Sequence, residues 1–394
     1  MTTSIIISIC LLLLLAYIFD ITSSKTKVPS VILLLIVGWA VKQATKAFEI
    51  TVPNLSSILP ILGTVGLILI VLEGSLELEL NKSKLPFIGK TALVSFLPML
   101  VFSFGLAYAF HYFGNITFKD GLANAIPFAV ISSAIAIPSA QNLLAKDKEF
   151  ITYESSLSDI FGVIFFNFIT LNDNIGTHSV GYFILELLVI LILTFVATLG
   201  LAFLLSKIKH HVKFIPIILS IVLIYAITKI YHLPGLIFIL LFGLFLGNLD
   251  ELKNIYFIQK LKPSLLNKEV HKFKELTTEI AFLIRALFFL LFGFLIKTRE
   301  LLNTETIVWA LAICLGIFTL RYLSLKIFKL SIKPALFIAP RGLITILLFL
   351  SVPITQVTDL ANNSLIIQVI ILSALVMMFG LMTHKTIPES HLET

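Results

Sequence analysis

Charge is scarce in this sequence. Asp, Glu, Lys and Arg make up 13% of its 394 residues, while 58% are hydrophobic. A water-soluble domain carries about 25% charged residues, so this chain cannot keep its whole surface wet. Cysteine is scarcer still: Cys10 and Cys314 are the only two, both inside apolar runs. They form neither a disulfide framework nor a metal site by spacing, and they read as membrane-packing residues. No H-E-x-x-H, G-x-S-x-G, P-loop or dinucleotide fingerprint occurs. That removes the common routes to a membrane-embedded enzyme, and no cofactor is implied. The histidines sit in or next to loops, and His210-His211 beside Lys207, Lys209 and Lys213 reads as a plain basic loop. The first apolar run lacks a basic n-region and a small-residue cleavage site, and Asp20 follows it. It is expected to be a retained span rather than a cleaved signal.

What is present is apolar length. A helix needs about 20 predominantly apolar residues to cross the hydrocarbon core. About thirteen segments meet that requirement: 3–19, 28–45, 57–76, 87–111, 121–145, 151–171, 179–205, 214–230, 233–249, 276–297, 304–325, 334–353 and 364–384. The expected fold class is an all-α integral membrane protein, with residues 1–394 forming one transmembrane domain and no soluble domain. The longest connection, 250–275, is polar and lysine-rich, with room for a short surface helix. Lysine and arginine concentrate in the loops that follow odd-numbered spans and in the C-terminal tail. The positive-inside rule therefore places the N-terminus outside and the C-terminus in the cytoplasm. The same loops account for the net charge of +7 without any nucleic-acid partner.

Ionisable residues at membrane depth cost several kcal/mol and are functional-site hypotheses by default. The acids are Glu73, Glu154, Asp159 and Glu186; the bases are Arg285, Arg321 and Arg341. Glu77 and Glu79 read instead as membrane-edge charges with Lys82 and Lys84. The densest run is Glu154-Ser155-Ser156-Leu157-Ser158-Asp159 in the sixth span. Glu154 and Ser158 share one helix face, and Ser155 and Asp159 repeat that spacing beside them. A hard cation such as sodium takes oxygen ligands, and a proton competes for the same carboxylate. One Asp can carry either ion but not both at once, which is the chemical core of an exchanger.

Two spans look interrupted. Ile131-Ser132-Ser133-Ala134-Ile135-Ala136-Ile137-Pro138 in span five places a proline after serines and β-branched residues. Ile338-Ala339-Pro340-Arg341-Gly342 in span twelve is the second. Proline removes a helix hydrogen bond and clashes with the preceding turn. Non-helical backbone at membrane depth survives only when buried in protein or facing a cavity. A pair of interrupted spans points to a transporter binding site.

These segments together resemble the monovalent cation:proton antiporter superfamily, which includes bacterial sodium/proton exchangers. Glu154-Ser155-Ser156-Leu157-Ser158-Asp159 resembles that family's E-S-L-L-N-D segment, and Pro340-Arg341-Gly342-Leu343-Ile344 its R-G-L-R-G-A segment. Leu72-Glu73-Gly74-Ser75-Leu76-Glu77-Leu78 resembles F-E-G-G-L-E-L, and Phe288-Phe289-Leu290-Leu291-Phe292-Gly293 resembles F-F-V-L-V-G. The resemblance spans residues 30 to 380. It implies inverted repeats with two broken helices crossing at the midplane, and a core bundle around spans 5, 6, 11 and 12 moving against a dimerisation bundle. It implies Asp159 as the ion and proton carrier, holding Na⁺. Ser155 and Glu73 would assist in cation binding, with Ser158, Ser132 and Ser133 as this chain's own further candidate ligands, and Glu154 with Arg321 would form a structural ion pair. Its substrates would be Na⁺ (or K⁺ or Li⁺) and H⁺, its setting a bacterial plasma membrane and its lipid, its assembly a homodimer.

The chain also departs from the family. The asparagine before the aspartate is Ser158, and the aspartate of the first broken helix (T-D-P) is missing, with Ser132, Ser133 and Ala134 in its region. Arg285 and Arg341 are possible charge modulators. Without a second aspartate beside Asp159, one proton per sodium, hence electroneutral exchange, is expected. Potassium/proton exchange on the same scaffold stays open as the alternative, and an ion channel stands behind it. Glu186 has no motif around it and no assigned role.

Overall fold

The computed structural model describes residues 2–50, 52, 54–78, 83–172, 177–208, 210, 212–231, 233–252 and 263–383. Glu79, Lys82, Lys209 and His211 lie outside them. In chain order the helices are α1 (Thr2–Thr26), α2 (Ser30–Ala47), α3 (Ile58–Glu77), α4 (Leu85–Gly114), α5 (Phe118–Ala129), α6 (Ser133–Ser139), α7 (Ala145–Leu171) and α8 (Thr177–Lys207). There follow α9 (Phe214–Ile230), α10 (Leu236–Gly247), α11 (Leu249–Leu252), α12 (Pro263–Leu295), α13 (Thr298–Leu301), α14 (Thr304–Ile327), α15 (Leu343–Leu350) and α16 (Asn363–Thr383). No strand occurs among the described residues. Among the described residues, ten stretches are long and apolar enough to cross a membrane, counting Phe118–Ser139 as one, and α9 and α10 are shorter apolar helices. A helix satisfies its own backbone groups, which is why apolar sequence of this length adopts it in lipid.

Three of the sequence expectations are refined. The helix of the tenth span does not start near residue 276 but at Pro263, where a missing N–H costs nothing. Its polar first half is held by ion pairs, Lys213–Glu269 at 2.5 Å and Lys274–Glu77 at 3.6 Å. The break in span five falls at 130–132, between α5 and α6, and Pro138 sits within α6 rather than at the break. In span twelve the first half is not an α-helix. A 3₁₀ turn, Ala335–Phe337, leads into irregular backbone at 338–342, and only then does α15 begin. Pro334 and Pro340 bracket this stretch; each lacks an amide N–H, and each disfavours helix in the residue before it.

The helices pack in two groups. In one, α12 runs along α2 and α3, and α10 along α3. In the other, α4 packs on α5 and α7, α6 packs on α7, and α14 packs on α16 and α4. The two interrupted segments belong to the second group and meet α7 there. Glycine makes one of these approaches possible. A Cβ on Gly162, in α7, would lie 2.3 Å from Val130 Cγ2, so only glycine lets the first break come this close to the helix that carries Asp159.

Candidate functional site

The site begins with the problem of an interrupted helix: backbone donors and acceptors at its ends have lost their partners. Three kinds of substitute fill the gap. The Ile131 N–H donates to Ser158 Oγ at 2.9 Å, and the Ser132 N–H donates to Pro340 O at 2.9 Å. The two interrupted segments are thus hydrogen-bonded to each other and to α7. Arg341 supplies the third substitute. Its guanidinium donates to Phe128 O at 2.6 Å, to Ala129 O at 3.2 Å and to Ala339 O at 2.7 Å. The first two are carbonyls at the C-terminal end of α5, where a cation also complements the helix dipole. Arg341 makes no ion pair among the described residues. It is 3% exposed, and its charge is dispersed over carbonyls. Gly342 completes the crossing: a Cβ there would lie 2.6 Å from Ile135 Cδ1 and 2.9 Å from Ser132 Oγ.

Against this crossing lies Asp159, 1% exposed. Ser133 Oγ donates to Asp159 Oδ2. Asp159 Oδ1 has no hydrogen-bond partner among the described residues, and neither has the buried hydroxyl of Ser132. A buried carboxylate oxygen without a donor is costly. A cation or a proton on it removes that cost. Ser155 is buried one turn earlier, with its hydroxyl turned back to Ile151 O at 2.7 Å.

Glu154 is buried as deeply, and its situation is the opposite. Arg321 of α14 grips it through Nη1–Oε1 at 2.6 Å and Nη2–Oε2 at 2.8 Å. Arg321 Nε also donates to Ala335 O at 2.7 Å, and Ser95 of α4 donates to the Glu154 carbonyl at 3.1 Å. One bidentate pair therefore ties α7 to α14 and to the segment leading into the second break.

Glu73 lies elsewhere. Its Oε2 is 3.9 Å from Nη1 of Arg285, between α3 and α12. No hydrogen bond joins it to Asp159 among the described residues. The sequence-predicted set thus separates. Asp159, Ser132 and Ser133 meet at the crossing, Ser158 closes the first break, Glu154 pairs with Arg321, and Glu73 pairs with Arg285. Sequence reasoning missed the bracing role of Arg341 and the polar residues Thr64, Asn167 and Tyr225, which line a cavity where α7 ends. Thr170, in the same cavity, stands three turns past Asp159 on nearly the same helix face; that spacing was a readable signal.

The family model described as "Sodium/hydrogen exchanger, transmembrane" matches residues 10–385. Among solved structures, the sodium proton antiporter MjNhaP1 from Methanocaldococcus jannaschii is similar. Its structure at pH 8 aligns with TM-score 0.61 at 18% identity, covering 97% of this chain and 96% of that one. A second structure of it, from an electron-microscopy map, aligns with TM-score 0.67 at 19% identity, covering 97% and 95%. These alignments show a common fold. No curated protein sequence matches the chain.

Proposed function

The chain belongs to the sodium/hydrogen exchanger family, and from that premise we propose that it exchanges sodium for protons, one for one, with Asp159 as the shared carrier. As a member of that family it is a multi-pass membrane transporter for cations and protons, not an enzyme. The observation that carries the proposal is the state of Asp159. It is buried where two interrupted segments cross, Ser133 holds one oxygen, and the other oxygen has no hydrogen-bond partner among the described residues.

In the proposed cycle, Asp159 is neutralised either by a proton or by a sodium ion. The Ser133 and Ser132 hydroxyls and nearby backbone carbonyls offer further oxygen ligands, with Ser155 and Ser158 behind them. The loaded site crosses the membrane barrier; the empty carboxylate does not, because a bare buried charge is too costly. The group containing α4 to α7 and α14 to α16 then rocks against the group built on α3, α10 and α12. Glu154–Arg321 keeps α7 and α14 moving as one body. Arg285 is engaged by Glu73, so its charge is already offset, which supports electroneutral exchange. The N-terminus lies outside and the C-terminus in the cytoplasm, by the distribution of basic loops.

The test is dye-quench antiport in proteoliposomes, with a pH gradient imposed and Na⁺, K⁺ or Li⁺ added in turn. Sodium is expected to dissipate the gradient with the native chain and not with Asp159→Asn. Substantial exchange by Asp159→Asn overturns the carrier assignment. A response to potassium alone replaces sodium with the alternative ion on the same site.

A further inference from the structure

Beyond Asp159, a hollow with several polar side chains in its lining lies against α7 toward its C-terminal end. A cavity of about 260 Å³ is bounded by α3, α7, α9 and α15. Its floor includes Val163 and Ile344. Val163 is one helical turn beyond Asp159, and Ile344 directly follows the first residue of α15. Its walls carry the side chains of Thr64, Asn167 and Tyr225, none of which makes a hydrogen bond to the described residues. Polar groups left unpaired in so roomy a cavity are satisfied by water. The cavity is therefore wet, and its water reaches to within one turn of the buried carboxylate.

A second cavity, about 180 Å³, adjoins it and is lined by Glu186 of α8. The two share Asn167 and Leu171. Asn167 thus borders both the deep cavity and the Glu186 chamber. Glu186 is half-buried and is the only charged residue in the otherwise apolar stretch from Gly181 to Ser206. Lys229 is the charged residue among those lining the deep cavity.

We propose that these two cavities form the hydrated vestibule through which the cation reaches Asp159, and that Glu186 and Asn167 collect a hydrated monovalent cation at its mouth. The inference rests on Asp159 being the ion carrier. Glu186 supplies the attracting charge and the Asn167 amide oxygen a ligand that can replace water during transfer. Lys229, which lines the deep cavity and not the Glu186 chamber, repels the ion and so opposes its accumulation. A charge in a cleft with low-dielectric walls raises the local counter-ion concentration by about tenfold or more, and salt screens the effect.

The experiment measures half-saturating Na⁺ in right-side-out and everted membrane vesicles at low ionic strength. Glu186→Gln is expected to raise it about three- to tenfold, only when sodium is added at the face where α7 ends, with the maximal rate unchanged. Choline chloride should shrink the difference to below about twofold by screening. Lys229→Gln should shift half-saturation the opposite way, and Asn167→Leu should raise it. A residue that only held α8 in place would not give opposite signs at Glu186 and Lys229, nor a salt-sensitive difference. Unchanged half-saturation in Glu186→Gln, or an equal shift from both faces, overturns the vestibule. If Asp159→Asn still exchanges ions, the carrier reading fails first; if it does not and Glu186→Gln is silent, only this inference fails.

Discussion

Two carboxylates stand five residues apart on α7, equally buried, and the protein treats them in opposite ways. Five residues turn a helix through about 140° beyond a full turn, so Glu154 and Asp159 look toward different neighbours. Glu154 meets α14, where both its oxygens are taken by Arg321. Asp159 meets the crossing of two interrupted segments, where Ser133 holds one oxygen and the other has no hydrogen-bond partner among the described residues. A charge that is fully paired gains nothing from an arriving ion. A charge that is half-satisfied gains a great deal. The same residue chemistry at the same depth thus yields a fastener in one place and, on the proposed reading, a carrier in the other.

The largest expected effect is the loss of exchange in Asp159→Asn without loss of fold. The asparagine can still accept from Ser133 but carries no charge to trade between proton and sodium. Thermal unfolding in detergent should stay close to that of the native chain while antiport falls to background. A protein that unfolds instead would make Asp159 a second fastener and erase the contrast. The active protein should also show direct competition. Where proton and sodium share one carboxylate, raising the pH by one unit lowers half-saturating sodium up to about tenfold, since each 1.4 kcal/mol of proton binding is traded for sodium binding.

The second break of the comparison runs through Glu154. Removing one partner of a buried pair costs about 3–5 kcal/mol because the other charge is left uncompensated. Glu154→Gln or Arg321→Leu should therefore lower the melting temperature and the yield of folded protein markedly. Glu154→Leu combined with Arg321→Leu should recover much of that loss, since apolar replacement of both partners is often neutral. A single variant that stays stable yet stops transport would move Glu154 into the carrier's role.

How much of this was readable beforehand follows the physics of each feature. Charges at membrane depth are visible in any sequence, so the α7 run, Glu73 and the three arginines stood out at once. Prolines advertise interruption, so both breaks were expected. Their position was not. The first opens at 130–132 because Ser158 and Pro340 satisfy the backbone there and Arg341 satisfies the carbonyls just before it, and those partners come from positions 27 to 213 residues away. No local pattern encodes such a contact. Arg341 likewise read as a charge modulator because a sequence shows its charge and not the carbonyls that surround it. The early start of α12 was hidden by lysines that suggested a loop; its ion pairs with Glu77 and Lys213 are tertiary.

A gentler probe acts on the Ser133 hydroxyl that donates to Asp159. Ser133→Ala removes the donor to Oδ2. Hydrogen bonds to a charged group are worth about 1.5–3 kcal/mol, so half-saturating sodium should change by about tenfold or more while folding survives. An unchanged ion response would leave Asp159 held by something other than the crossing.

The smallest expected effect separates two hydroxyls that look alike. Ser132 Oγ and Ser156 Oγ are both buried and both lack a hydrogen-bond partner among the described residues. Ser132 sits at the crossing, where Gly342 leaves room beside its oxygen. Ser156 faces α3, where a Cβ on Gly74 would come within 3.2 Å of its oxygen. If an orphaned polar atom were enough to mark an ion ligand, Ser132→Ala and Ser156→Ala would weaken sodium binding alike. If location decides, Ser132→Ala raises half-saturating sodium by about threefold to tenfold, in the range of one lost neutral ligand. Ser156→Ala then leaves it within about twofold and unfolds no more easily than the native chain, because deleting an unsatisfied buried hydroxyl removes a desolvation cost. Equal shifts in the two variants would mean that the ion path runs along α3 as well as through the crossing, and the contrast between the two faces of α7 would have to be redrawn around Glu73.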